Sequence, residues 1–407
     1  MTLEFNKLNV QLSALGQSLA NETGRREEKL GLALEWLRQA AEDPQAIYAR
    51  VLVTREMDVD WRGAYPPQSP YIDPLEQGID CPDLSEQVTL IAADGSQIHL
   101  DQHAATLYYL INVGAIALRT GSGQTPRVLT RPELHYVYDE LHDEIGNLIP
   151  PSIVDARRDQ AELSLLADLA QDAQPPVVAL RDGPILLWGY LETTPGAQRR
   201  QQENIEAYMQ TLSRLRTCGA AVAGYVDRSM RSDVSKMLVL SRLEMDQIKR
   251  ETLSPANDPL SGLLDEHIFA KLLGPGQRSA RLIIQSHVNK TYAQYEHEVW
   301  FFYVNLSRQA NRPALARVEV PAWVARDEAA LDRLHAVLVQ QAQILQGAPY
   351  PYALARADEL AVVGAEEKEH LEALMAHEMA QYGHLSLPSR KARAKEHARG
   401  GRRQHRL

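Results

Sequence analysis

The chain has 407 residues, 44% hydrophobic and 24% charged, with a formal net charge of −10 at pH 7. These proportions exclude collagenous, fibrous and wholly disordered chains, and the length allows two or three domains of roughly 100–200 residues, or one enlarged by insertions. Two cysteines, Cys81 and Cys218, cannot make a disulfide framework and lack metal-ligand spacing, which points to a reducing, cytoplasmic setting.

The opening MTLEFNKLNVQ has no basic segment ahead of an apolar one, so no signal peptide is expected. The longest uncharged apolar stretch, Ala104 to Leu118, is 15 residues, short of the roughly 20 that a membrane helix needs. A soluble protein with no membrane partner is expected. The charge is uneven. Eight Lys and Arg stand against one Glu from Ser389 to Leu407, which leaves the rest of the chain at −17. Such a body is no general nucleic-acid sponge, because non-specific affinity comes from neutralising phosphates with Lys and Arg.

In chain order, residues 1–60 read as a helical N-terminal region. Leu8, Leu12, Leu15 and Leu19 recur at helical spacing, Leu30, Leu32, Leu34 and Leu37 form a second set, and Asn21-Glu-Thr-Gly24 is expected to break the two helices. Residues 61–85 are rich in Pro and Gly and read as an irregular connector. Strands are predicted at 88–93, 107–118, 128–138 and 176–180, with 185–191 continuing the last as a hairpin. Helices are predicted at 152–171 and 198–217, and a further strand at 220–226. This order fits an α/β fold with a sheet of mixed direction. Helices at 232–250, 261–273, 327–346 and 366–381 and strands at 280–286, 298–306 and 315–320 follow. The organisation is 1–60, connector 61–85, a main domain over 86–365, a C-terminal helix over 366–388 and a basic, disordered tail over 389–407.

The chain holds no G-x-x-x-x-G-K-[ST], no H-E-x-x-H and no G-x-S-x-G. What stands out is acidic. Asp94 and Asp182 each end an apolar run and each precede a glycine, in LIAADGS and VALRDGP. Ligands of α/β sheets sit beyond strand ends, so the two carboxylates meet if their strands are neighbours; alternatively each Asp-Gly simply makes a turn. Glu162 is the third. At 100° per residue it lies within about 20°, 40° and 60° of Leu169, Leu166 and Leu165, in the middle of the stripe that should face the sheet. A buried charge needs a counter-charge, which is either Arg158, one turn away, or a metal. Three converging carboxylates suit Mg²⁺ or Mn²⁺, and two such ions activate water and stabilise the leaving oxygen in phosphodiester cleavage. Asp227 is a further carboxylate at a strand end. Arg157-Arg158, Arg199-Arg200 and Arg228-x-x-Arg231 are basic pairs able to track a DNA backbone, with Arg158, Arg228 and Arg231 the DNA-binding candidates, or else solvated helix faces.

Ala93-Asp94-Gly95-Ser96, Arg158-x-x-x-Glu162, Leu180-Arg181-Asp182-Gly183-Pro184 and Tyr350-Pro-Tyr-Ala-Leu354, in that order and spacing, resemble the NurA nucleases, partners of the HerA hexameric ATPase in DNA end processing. The resemblance covers roughly residues 86 to 365. It implies a ribonuclease H-like core whose first and fourth strands are adjacent. It also implies Mn²⁺-dependent (or Mg²⁺-dependent) single-strand endonuclease and 5′-to-3′ exonuclease activity with two ions, a homodimer, and docking onto a HerA-type ATPase. By the same resemblance Asp94, Glu162 and Asp182 are metal ligands and Tyr350 sits near the scissile phosphate. Two positions depart from the family pattern. Asp358 stands where the family has histidine, and Ala353 where it has proline. Aspartate cannot act as a cationic donor to phosphate at neutral pH, so a catalytically weak, NurA-like scaffold that regulates the ATPase is the alternative function. A ribonuclease H-like enzyme acting on RNA or a structured junction is a third.

Overall fold

The computed structural model describes residues 5–56, 61–84, 86–187, 195–345, 347 and 349–383. The basic tail 389–407 and positions 188–191 of the predicted hairpin lie outside them.

After a 3-10 turn at Phe5–Leu8, α1 runs from Asn9 to Glu42 as one helix. The expected break at residues 21–24 does not occur. The Thr23 hydroxyl donates back to the Leu19 carbonyl at 2.8 Å, within the helix, and a glycine inside a helix costs only about 1 kcal/mol. α2 (Pro44–Glu56) starts on a proline, whose missing N–H is harmless in a first turn. Then come β1 (Gly63–Tyr65), β2 (Thr89–Ile98), β3 (Tyr109–Arg119), β4 (Arg127–His135), α3 (Tyr138–Leu141), α4 (Pro151–Gln171), β5 (Val177–Asp182), α5 (Pro195–Thr217) and β6 (Ala220–Asp227). The remainder is α6 (Asp233–Ser241), α7 (Asp265–Leu272), β7 (Leu282–Gln285), α8 (His287–Gln294), β8 (Val299–Asn305), β9 (Leu315–Pro321), α9 (Ala322–Ala325), α10 (Glu328–Ala342), α11 (Tyr352–Ala361) and α12 (Ala365–Gln381).

Two predicted elements are shorter than expected. The helix over 232–250 stops at Ser241, because Gln247 accepts the Glu244 N–H and caps a separate 3-10 turn at Met245–Gln247. The residues after β5 form no strand over 185–187, because the N–H groups of Ile185 and Leu186 bond to the carboxylate of Glu319.

The sheet is mixed, and its strands follow the order β1-β7-β8-β9-β6-β5-β2-β3-β4. Packing divides the chain into two units. The first comprises Glu86–Asp182, Leu187–Val222 and the chain from Tyr352 onward. In it β2 pairs antiparallel with β3 and parallel with β5, and β3 pairs antiparallel with β4. The first strand of this unit thus lies beside its fourth, as a ribonuclease H-like core requires. β2 carries α4 on one face and α11 on the other. Successive side chains of a strand alternate between faces, and two glycines mark the approaches. A Cβ on Gly95 would stand 2.6 Å from Glu162 Oε1 on α4. A Cβ on Gly114 of β3 would stand 2.5 Å from the Ala357 carbonyl of α11. Helix α11 comes this close because Ala353, Ala357 and Ala361 recur every four residues on its buried side. Ser96 and Asn112 then fasten its end, donating to the Ala361 carbonyl at 2.5 and 2.8 Å.

The second unit comprises the chain up to Ser85, Gly183–Leu186 and Ala223–Pro351. Its strands β7, β8 and β9 pair antiparallel, β8 is buried along its whole length, and β1 pairs antiparallel with β7. Among the described residues no helix is long and apolar enough to cross a membrane.

The contact at Gly114 makes a prediction. Gly114→Ala should cost about 1–3 kcal/mol through overpacking against helix backbone, read as a lowered midpoint in urea. An equal loss is not expected for Gly31→Ala, a position inside α1 with open space around it and ordinary helical backbone.

Candidate active site

β2 and β5 run parallel with Ala93 opposite Arg181, so one residue further along lie Asp94 and Asp182. Asp182 ends its strand, as expected. Asp94 does not: β2 continues to Ile98, because β3 pairs with it throughout. What changes at Asp94 is burial. Residues 89–93 are buried, and residues 94–97 are half-buried. The carboxylate therefore emerges in mid-strand, where the covering thins.

The register places Asp94 on the α11 face, because its cross-strand partner is Gly114. Asp358, on α11, interacts there with Asp94 by charge and hydrogen bond. Three carboxyl groups from β2, β5 and α11 are thus gathered around Asp94. Burial and the charge of Asp182 push the Asp94 carboxyl up to about 7. The Gly95 N–H, 2.8 Å from Oδ1, opposes the shift, and Asp358 adds to it.

Glu162 approaches the same strand from the other face, through the gap left by Gly95. It is 1% exposed, in the middle of the apolar stripe as the helical geometry predicted. Its counter-ion is in place. Arg158 Nε lies 3.2 Å from Oε1, not aligned as a hydrogen bond, so that nitrogen has no hydrogen-bond partner among the described residues. A second arginine went unanticipated. Arg181 donates to Glu162 Oε2 from Nη2 at 2.7 Å and Nε at 3.2 Å, and to Asp159 Oδ1 at 2.8 Å. Burial pushes the Glu162 carboxyl up; Arg181 pulls it down, Asp159 pushes it up, Arg158 pulls it down and Asp94 adds to the push. The sequence held a signal for this. An arginine inside the buried run VALRDG requires an acid, and Arg181 is 1% exposed.

Arg158 also donates to Asp159 and Gln97 at 2.9 and 3.2 Å. Arg231 bonds Asp233 at 3.2 Å. Arg228 is almost fully exposed in the left-handed backbone region, and it stands 3.9 Å from Asp227, itself exposed. Tyr350 belongs to the second unit, where its ring meets Tyr225 edge-on at 5.2 Å.

The donors around Asp94 are oxygen atoms, suited to a hard divalent cation. Among the described residues, no three His, Cys, Asp or Glu side chains are spaced to grip one ion. Mg²⁺-type sites use one or two carboxylates and complete the shell with water and substrate phosphate.

A mixed sheet with its first strand parallel to its fourth, and acids gathered where that fourth strand ends, defines a ribonuclease H-like protein. The NurA domain model matches residues 88–363, so the chain belongs to the NurA family. The NurA nuclease from Sulfolobus solfataricus is similar in structure at 12% identity and a TM-score of 0.50, over 92% of this chain and 97% of that one. The catalytic domain of human Endonuclease V matches 80% of this chain and 96% of its own at 14% identity, with a TM-score of 0.32. No curated protein sequence matches.

The raised Asp94 carboxyl has a pH signature. It keeps its proton to about pH 7 when folded and to about pH 4 when unfolded. Its contribution to stability is full below pH 4 and is lost as the pH rises through 7. In EDTA, Asp94→Asn should match the wild type in urea midpoint near pH 4 and exceed it at pH 8. Parallel pH profiles would contradict the assignment.

Proposed function

We propose that this chain is a metal-dependent DNA nuclease, a single-strand endonuclease and 5′-to-3′ exonuclease that works at DNA ends. Its partners in this reading are a second copy of itself and a HerA-type hexameric ATPase. The observation that carries the reading is the meeting of Asp94, Asp182 and Asp358 around one strand face, in a chain of the NurA family. The nuclease named for the Sulfolobus relative supports it.

Asp94 and Asp182 would hold Mn²⁺ or Mg²⁺, with Asp358 beside them and Glu162 behind Gly95 as a further ligand that the arginines must release. Bound there, divalent ions supply an activated water and charge stabilisation at the leaving oxygen. The chain's own groups do the rest. Gly95 fixes Asp94 by its N–H, and α11 excludes water from the inner side of the cluster. A body at −17 repels phosphate unless cations intervene, so the cation requirement and the acidity of the chain are consistent.

Asp94→Ala and Asp182→Ala should each reduce Mn²⁺-dependent cleavage of labelled single-stranded DNA at least 10³-fold while retaining the wild-type circular dichroism spectrum. EDTA should have the same effect on the wild type. Full activity in either variant removes that residue from the mechanism, and preferential cleavage of RNA would redirect the substrate assignment.

Two observations favour the scaffold reading. Glu162 is neutralised by two arginines, and Asp358 replaces a cationic histidine. On that reading the protein cleaves nothing with any divalent ion, yet binds the ATPase and alters its ATP turnover. Asp358→His separates the two: a gain in cleavage marks an attenuated nuclease, and no cleavage in either form marks a scaffold.

A further inference from the structure

Immediately after Asp182 the chain turns through Gly183-Pro184-Ile185-Leu186, and Ile185 and Leu186 are fully buried. The backbone of this turn is held at several points. The Gly183 N–H donates to the Tyr225 carbonyl at 2.7 Å. The Ile185 carbonyl accepts from Tyr292 Oη at 3.1 Å. The Ile185 and Leu186 N–H groups both donate to one carboxylate oxygen, Glu319 Oε2, at 3.0 and 3.3 Å. Gly224 lets the turn lie this close to β6, since a Cβ there would stand 2.5 Å from the Gly183 carbonyl.

Glu319 is itself fixed. Arg317 Nε donates to its other oxygen at 3.0 Å, and Arg317 Nη1 donates to Asp233 at 2.9 Å. The Arg317 guanidinium lies 3.7 Å over the Phe301 ring. Glu319, Arg317 and Asp233 are each no more than 2% exposed. Burying such a triad is a weak route to stability, because desolvation offsets the attraction, but it fixes geometry through charge-assisted bonds. Two amides could be satisfied by a neutral acceptor. A carboxylate locked from behind by a forked arginine holds them in one place.

We propose that Glu319 is a positioning residue for the active site: it fixes the turn into which Asp182 runs, and so sets the place of that carboxylate. The inference rests on the nuclease reading and adds a residue that touches neither ion nor DNA. A residue whose role was confined to packing would lower stability without changing ion affinity per folded molecule.

The test compares Glu319→Gln with wild type and with Asp94→Asn. The readouts are Mn²⁺ affinity by calorimetry, kcat and KM on single-stranded DNA, and thermal midpoint. Glu319→Gln leaves the Arg317–Asp233 pair in place. It should lower Mn²⁺ affinity about five- to tenfold and kcat about tenfold or more, with KM within twofold. Wild-type ion affinity and kcat in a folded Glu319→Gln overturn the proposal, as does a kcat loss that only tracks the unfolded fraction. If the variant does not fold, amide exchange in the wild type decides. Protection of Ile185 and Leu186 should rise on adding Mn²⁺, and unchanged protection overturns the proposal. If Asp94→Asn retains cleavage and Mn²⁺ binding, the active-site reading itself falls. If Asp94→Asn loses both while Glu319→Gln keeps both, only the role of Glu319 falls.

Discussion

The parallel pairing of β2 with β5 is the constraint on which the site depends. It puts Asp94 and Asp182, 88 positions apart in the chain, at adjacent points of one ladder. The same register puts Ala93 and Arg181 on the opposite face. One pairing therefore creates a like-charge cluster on one side of the sheet and a salt-bridged one on the other. Ladder hydrogen bonds hold the backbone whatever the side chains prefer, so the repulsion at Asp94 is stored as a raised carboxyl pKa.

The two faces of β2 handle buried charge differently. Toward α4, each acid has an arginine: Glu162 and Asp159 stand against Arg158 and Arg181. Toward α11, the helix presents alanines to the sheet, and the acid it brings, Asp358, adds to the negative charge at Asp94. Negative charge is therefore paired with arginine on the α4 face and gathered at Asp94 on the α11 face. Buried ion pairs contribute little net stability but fix geometry through charge-assisted bonds, and the α4 network holds Glu162 in one place beside Gly95. In the second unit the Glu319–Arg317–Asp233 triad does the same for the turn after Asp182.

Much of this was legible in the order of residues. The apolar runs ending in Asp-Gly marked β2 and β5, and the helical phase of Glu162 among leucines gave its burial. The four motifs gave the family. Other features were not legible, each for a local reason. Asp94 looked like a strand end because the buried run stops there, yet β3 continues the ladder to Ile98. Asn21–Gly24 looked like a breaker, yet the Thr23 hydroxyl bonds within the helix. Residues 185–187 looked like a returning strand, yet a distant carboxylate takes their N–H groups. At Asp94 and at residues 185–187 a tertiary partner sets the outcome, and at Asn21–Gly24 a bond within the helix does.

By itself the sequence determined which segments are apolar, which acids sit at their ends, and which helix carries a charge on its buried stripe, because these follow from residue type and periodicity along one segment. Tertiary structure alone decided which acids share a face, that Arg181 and not only Arg158 neutralises Glu162, and that Asp358 comes to Asp94. Those facts depend on strand register and on the approach of α4 and α11 over two glycines. Register joins residues whose separation along the chain carries no information about their distance in space.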